Sequence, residues 1–186
     1  MTSRRRDSPS MHKTMFKVEV FPHNADWRDK FREEAKHVGA ALGENVVVHH
    51  IGSTSIPGIY AKPVIDILVE VKKISDVDAR SSAMKSLGYA VMGQFGITGR
   101  RYFRGDDCEG IRTHQIHAFE TGSAEVIRHL AFRNYLIAHP DDALEYSDLK
   151  RQLAAEHPFD ADAYMDGKDA FINDTDCRAA KWRETE

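Results

Sequence analysis

Cys108 and Cys177 are the only two thiols in 186 residues, too few for a disulfide framework or a four-thiolate zinc centre. That scarcity points to a reducing, cytoplasmic setting. No apolar run approaches the ~20 residues that a membrane-spanning helix needs. Neither sign of charge is in excess: 26 basic against 29 acidic residues leave a net charge of −3. No global field therefore recruits nucleic acid, and no interleaving of basic and aromatic residues marks a surface for it. Internal repeats and low-complexity tracts are absent. The opening MTSRRRDSPSMHKT has a basic run with no apolar segment behind it, unlike a secretory signal. Residues 1–14 are expected to be a disordered tail, with Met11 or Met15 as alternative starts. What the chain does have is 41% hydrophobic and 30% charged residues, ordinary for a globular protein. One domain over 15–175 is expected, followed by a flexible stretch at 176–186.

Alternation of Phe16, Val18 and Val20 predicts a short strand ending at Phe21–Pro22. Trp27, Phe31, Ala35, Val38 and Leu42 recur at three- and four-residue spacing and predict an amphipathic helix over 26–42, capped by Asp26 and stopped by Gly43. Strands are expected at 46–51, 64–71, 89–92, 100–104 and 112–119, with a helix at 75–87 between them. Helices are expected at 124–138, from Asp141 to about 155, and from Asp160 to about 171. Strands in the first two-thirds and helices in the last third give an α+β, or mixed α/β, domain whose sheet is flanked by helices.

Within HHIGSTSIPGIYAKPVIDILVEV, residues 49–71, a small-residue turn joins two strands. A glycine at 52 lets backbone approach a ligand, and Ser53, Thr54 and Ser55 offer hydroxyl donors to phosphate oxygens. Lys62 offers a compact cation, and Pro57 and Pro63 limit movement of the connection. The alternative is an ordinary turn, since Gly, Ser and Pro populate turns generally. On the second strand Val64, Asp66, Leu68 and Glu70 share one face, and Ile65, Ile67, Val69 and Val71 the other. A lone carboxylate on so apolar a strand needs a metal, backbone donors or a cation, the last satisfied by a salt bridge to Lys62 or an arginine.

This segment resembles the signature of the GrpB family, a group similar to the nucleotidyltransferase superfamily. FPHNADWRDKFREEA, RTHQIHAFETGS and RHLAFRNYLIAHPDDALEYSDLKRQLA resemble GrpB segments too, so the likeness runs from about Lys17 to Phe171. It implies a nucleotidyltransferase-like fold in which Gly52 and Ser53 meet nucleotide phosphates and Asp66 holds a divalent metal, taken as magnesium. The superfamily pattern asks for a second acid two residues after the first, and this sequence has Leu68 there. Two acids at alternate strand positions stand about 6.6 Å apart, close enough to share two magnesium ions. Leucine cannot ligate magnesium, and the backbone of Glu70 is about 13 Å from that of Asp66, too far for a simple replacement. Glu120 is the first candidate to complete a metal site, ahead of Asp106, Asp107 and Glu109.

Ten histidines invite a zinc hypothesis, but residues three apart on a strand face opposite sides, so His114 and His117 cannot share an ion without a bulge. His49 and His50 also point apart. His117, with His50 and His114 behind it, is instead a candidate general base with a pKa near neutrality, against the alternative of a satisfied structural histidine. Arg101 and Arg112, with Arg100 and Arg104, are candidate phosphate ligands or a solvated rim. His129 and Arg133 share one side of a helix. Lys150 and Lys168 extend the list of anion contacts, although helical lysines are usually solvated. The expectation is a magnesium-dependent nucleotidyl transferase acting on a small-molecule acceptor, its ligand a nucleotide or phosphorylated small molecule. The rival is a catalytically silent module of the same fold.

Overall fold

The computed structural model describes residues 17–43 and 45–185. Five strands form one mixed sheet: β1 (Val47–Ile51), β2 (Ile65–Val71), β3 (Ala90–Val91), β4 (Arg101–Asp106) and β5 (Arg112–Glu120), in the order β1-β2-β5-β4-β3. Only β2 and β5 run parallel; the other neighbours are antiparallel. The mixed α+β class expected from the sequence is the class observed.

The alternation in β2 decides what covers each face. Ile65, Ile67, Val69 and Val71 pack with Ile116, Ala118 and Phe103 against α1 (Asp26–Leu42), α2 (Ile74–Ala79) and α3 (Ser81–Ser86), burying Trp27, Val38, Val77 and Met84. The opposite face, with Ile51, Leu68 and Phe119, takes Val126 of α4 (Ala124–Ala138). Behind α4 lie α5 (Pro140–Glu156), α6 (Ala161–Asp166) and α7 (Asp169–Arg183). The molecule is thus a helix, sheet, helix sandwich.

Several local expectations change. The helix expected at 75–87 is broken at Arg80, whose φ of −106° and ψ of 8° leave the helical region. The strand expected from Phe16 is reduced, among the described residues, to an isolated bridge between Phe21 and Ala61; Met15 and Phe16, like the tail at 1–14, lie outside the described residues. Asp26 does not cap α1 but donates its N–H to Asn24 Oδ1 at 2.9 Å. The terminal stretch expected to be flexible from 176 is helical to Arg183, with Ala179 buried beside Tyr135 and Leu136. Cys108 and Cys177 are exposed free thiols. No helix among the described residues is long and apolar enough to cross a membrane.

Candidate functional site

β1 ends at Ile51, and the chain turns on Gly52, at φ 69° and ψ −176°, into a single helical turn, Ser53–Ser55. A side chain at 52 is excluded twice over. The backbone lies in the left-handed region, and an added Cβ would sit 2.9 Å from the Asp66 Cβ and nearer still to its carboxylate. The turn and Asp66 are therefore in contact because residue 52 is glycine. The three hydroxyls then divide. Ser55 Oγ donates to Gly52 O at 2.6 Å, while Thr54, buried, donates to Val64 O and meets His50 Nε2 at 3.0 Å. Those two hold the turn together.

Asp66 sits half-buried on β2 and forms no hydrogen bond or ion pair with any described residue, so the salt bridge weighed from sequence is not made. Burial pushes its carboxyl up to about 7, against the opposing charges of Lys168, Arg112 and Lys62. Those cations converge from separate parts of the chain. Lys62 Nζ and Lys168 Nζ lie over the Tyr164 ring, 4.4 and 4.6 Å from its centroid. Lys150 Nζ lies 4.4 Å from the Tyr146 ring centroid and donates to Tyr60 O. Lys150 and Lys168 are only 2% and 8% exposed, which costs free energy for a charged group. Burial accordingly lowers Lys150 to about 7 and Lys168 to about 8, and lowers Lys62 as well. Arg112 Nε is buried with no partner. Arg112 lies where the β4–β5 register shifts, between Gly105 and Asp106. Three cationic side chains, Lys62, Arg112 and Lys168, thus act on one carboxylate, with Lys150 beside Lys168, and none of the five is ion-paired among the described residues.

The other acids do not join Asp66. Leu68, fully buried, packs with Ile51, Phe119 and Val126. Glu70 Oε1 is 2.7 Å from His49 Nε2. Opposite Asp66 in the β2–β5 register stands Gln115, whose Oε1 accepts from Tyr102 Oη at 2.9 Å. Glu120 is five residues further along β5, about 16 Å away, where its carboxylate accepts the Ile74 N–H. Asp106 pairs with Arg104, and Asp107 accepts backbone N–H groups of its own turn. Among the described residues no three His, Cys, Asp or Glu side chains cluster as a metal site. The donor set does not fit a pair of magnesium ions.

The histidines also separate. His50 and His114 face α1, away from Asp66. His50 stacks on Phe31 with centroids 4.7 Å apart, and burial lowers it to about 4; burial lowers His114 also, beside Tyr89. His117 is on the Asp66 face, two residues beyond Gln115 and level with Leu68. Its Nδ1 is 3.4 Å from Arg100 Nη1, and its ring is 5.8 Å from that of His129. Burial first, then His129 and Arg100, lower it to about 3. It is a weak base, contrary to the near-neutral value expected. His129 Nδ1–H donates to Glu125 O at 2.7 Å, and burial lowers its pKa too. Arg133 donates to His50 O at 2.9 Å, tying α4 to the end of β1. Arg101 grips Asp78 with both arms, at 2.5 and 2.7 Å, and is no part of the site. Arg100 donates to Gln94 O and Phe95 O and closes the glycine-rich loop.

Gln115, Tyr146 and Tyr164 escaped the sequence reading, and Lys150 and Lys168 were underweighted. For Lys150 a signal existed: it falls four residues after Tyr146 and three before Leu153, on the apolar stripe of its helix. Lys168 carries no such mark.

The family model described as GrpB protein matches residues 17–178. UPF0157 protein YqkA of Bacillus subtilis strain 168 is 44% identical over 169 residues, which are 90% of this chain and 49% of that protein. The chain thus spans about half the length of that relative. The crystal structure of conserved protein GrpB from Enterococcus faecalis superposes with a TM-score of 0.84 at 44% identity, covering 89% of this chain and 99% of that one. Cid1 poly(U) polymerase with MgGTP bound aligns with a TM-score of 0.46 at 7% identity, over 71% of this chain and 45% of that one.

Proposed function

The chain belongs to the GrpB family, and from that premise we propose that it binds a nucleotide or another phosphorylated small molecule, with the phosphates against the Gly52–Ser53 turn. The observation that carries this reading is the set of three cations around Asp66, Lys62, Arg112 and Lys168, with Lys150 beside Lys168, all left without ion-pair partners among the described residues. Buried positive charge that is not neutralised within the protein is stabilised by a bound anion. Aromatic rings under three of these cations hold them in place, which lowers the ordering cost of binding.

As an enzyme, such a site would transfer a nucleotidyl group. An acceptor would attack the α-phosphorus while pyrophosphate leaves, and the lysines would stabilise the charge that develops on the leaving group. Magnesium, when bound in sites of this kind, supplies charge neutralisation at the reacting phosphate. The single carboxylate of Asp66 offers little to hold it. A ligand-binding module without catalysis is the second reading, and Leu68, where the second acid would stand, favours it. The exposed thiols of Cys108 and Cys177 suit a reducing compartment, so a cytoplasmic location belongs to the same proposal.

Thermal unfolding of the wild type and of Lys168→Met, each with and without ATP, GTP, CTP or UTP, tests this reading. At least one nucleotide is expected to raise the wild-type midpoint and to raise that of the variant much less; no shift with any of the four ends the nucleotide reading. Pyrophosphate released alongside such binding identifies an enzyme, and binding without it identifies the module.

A further inference from the structure

The donors around Asp66 are as informative as the cations. Along β2 the next side chain on the same face is Leu68, sealed in apolar contacts, and the one after it, Glu70, is engaged by His49. Across the sheet the partner of Asp66 is the neutral amide of Gln115. Magnesium demands near-octahedral oxygen coordination and is commonly held by one or two carboxylates together with substrate phosphates. Here a single carboxylate is available, and it is ringed by ammonium and guanidinium groups that repel a divalent cation. Two of those ammonium groups share the face area of one ring, Tyr164.

We infer that the phosphorylated ligand is taken up as its metal-free anion, its charge neutralised by Lys62, Arg112 and Lys168 in the role that magnesium fills elsewhere. This rests on the phosphate site proposed above. Three cations against the carboxylates of Asp66 and of Asp169, whose charge also acts on Lys168, leave a surplus of positive charge, which a free di- or triphosphate matches better than its less negative magnesium complex. The ligand class is therefore a di- or triphosphate whose oxygens contact side-chain N–H donors directly. Arg112 Nε, buried and unpartnered, is one such donor. Asp66 then serves as an acceptor for a hydroxyl or amine of the ligand instead of as a metal ligand.

Titration calorimetry of the full chain with ATP and with inorganic triphosphate, in EDTA and in excess magnesium, separates the possibilities. The expected result is binding in EDTA at least as tight as in magnesium, weakened about tenfold or more by Lys168→Met. Lys62→Met, on a less buried lysine, supplies the same readout where the first variant does not fold. Binding that requires magnesium, or that is tenfold tighter with it, overturns the metal-free inference while leaving the phosphate site intact. Heat absent under both conditions removes the site itself, and the inference with it.

Discussion

Asp66 and Lys168 each cost the fold stability, with opposite dependence on pH. An acid raised on folding from 3.8 to about 7 contributes stability below its unfolded pKa and loses it as pH climbs through the folded value. At pH 8, Asp66→Asn should therefore unfold at higher urea than the wild type, by at most on the order of 4 kcal/mol, with the gap closing by about pH 4. A less stable variant at pH 8 would show that the surrounding cations already compensate the carboxylate. Lys168 is a base lowered from 10.5 to about 8. Its stability contribution is complete above the unfolded value and is lost as pH falls through the folded one, so Lys168→Met should raise the thermal midpoint at pH 7 while weakening ligand binding. A structural lysine would show a lower midpoint. Gly52→Ala should instead lose stability and binding together, because its Cβ displaces Asp66. The sequence displayed Gly52, Asp66 and the gap at Leu68 plainly, since a strand of period two assigns faces without tertiary information. It named the lysines but not the partners that bury them, since Lys150 meets Tyr60, 90 residues earlier in the chain.

Elements legible from periodicity alone were those whose apolar residues recur at the period of the element. The helix expected over 26–42 and that over 124–138 have those bounds in the structure, and β2 and β5 fall within a residue of expectation. The failures lie where a local pattern meets an outside constraint. The predicted helix at 75–87 breaks at Arg80, and α7 continues to Arg183 because it packs on α4. α5 contributes a further element-scale constraint. Ser147 Oγ accepts the Tyr60 N–H at 2.8 Å while Lys150 donates to the Tyr60 carbonyl, so one helix holds both sides of the loop that leads into β2. Ser147→Ala leaves that N–H buried without a partner. It is expected to cost about 1–3 kcal/mol in urea unfolding and to weaken ligand binding through the loop; an unchanged unfolding midpoint would show that α5 does not hold it.

On the scale of the whole molecule, the site is a seam. Gly52, Ser53, Lys62, Asp66 and Arg112 come from the sheet and its first turn, whereas Lys150, Lys168, Tyr146 and Tyr164 come from the helices that follow. No short motif could show the site, because half of it arrives from beyond residue 140. A ligand at the seam bridges both halves, and at a hundred times its Kd it should add about 2.7 kcal/mol to stability. The most direct measurement is a crystal structure of the protein with a bound nucleoside triphosphate. The account predicts phosphate oxygens within hydrogen-bond distance of Ser53, Lys168 Nζ and Arg112 Nε. Phosphates bound elsewhere, such as the groove between Glu70, Leu130 and Trp182, with the four cations still unengaged, would contradict it.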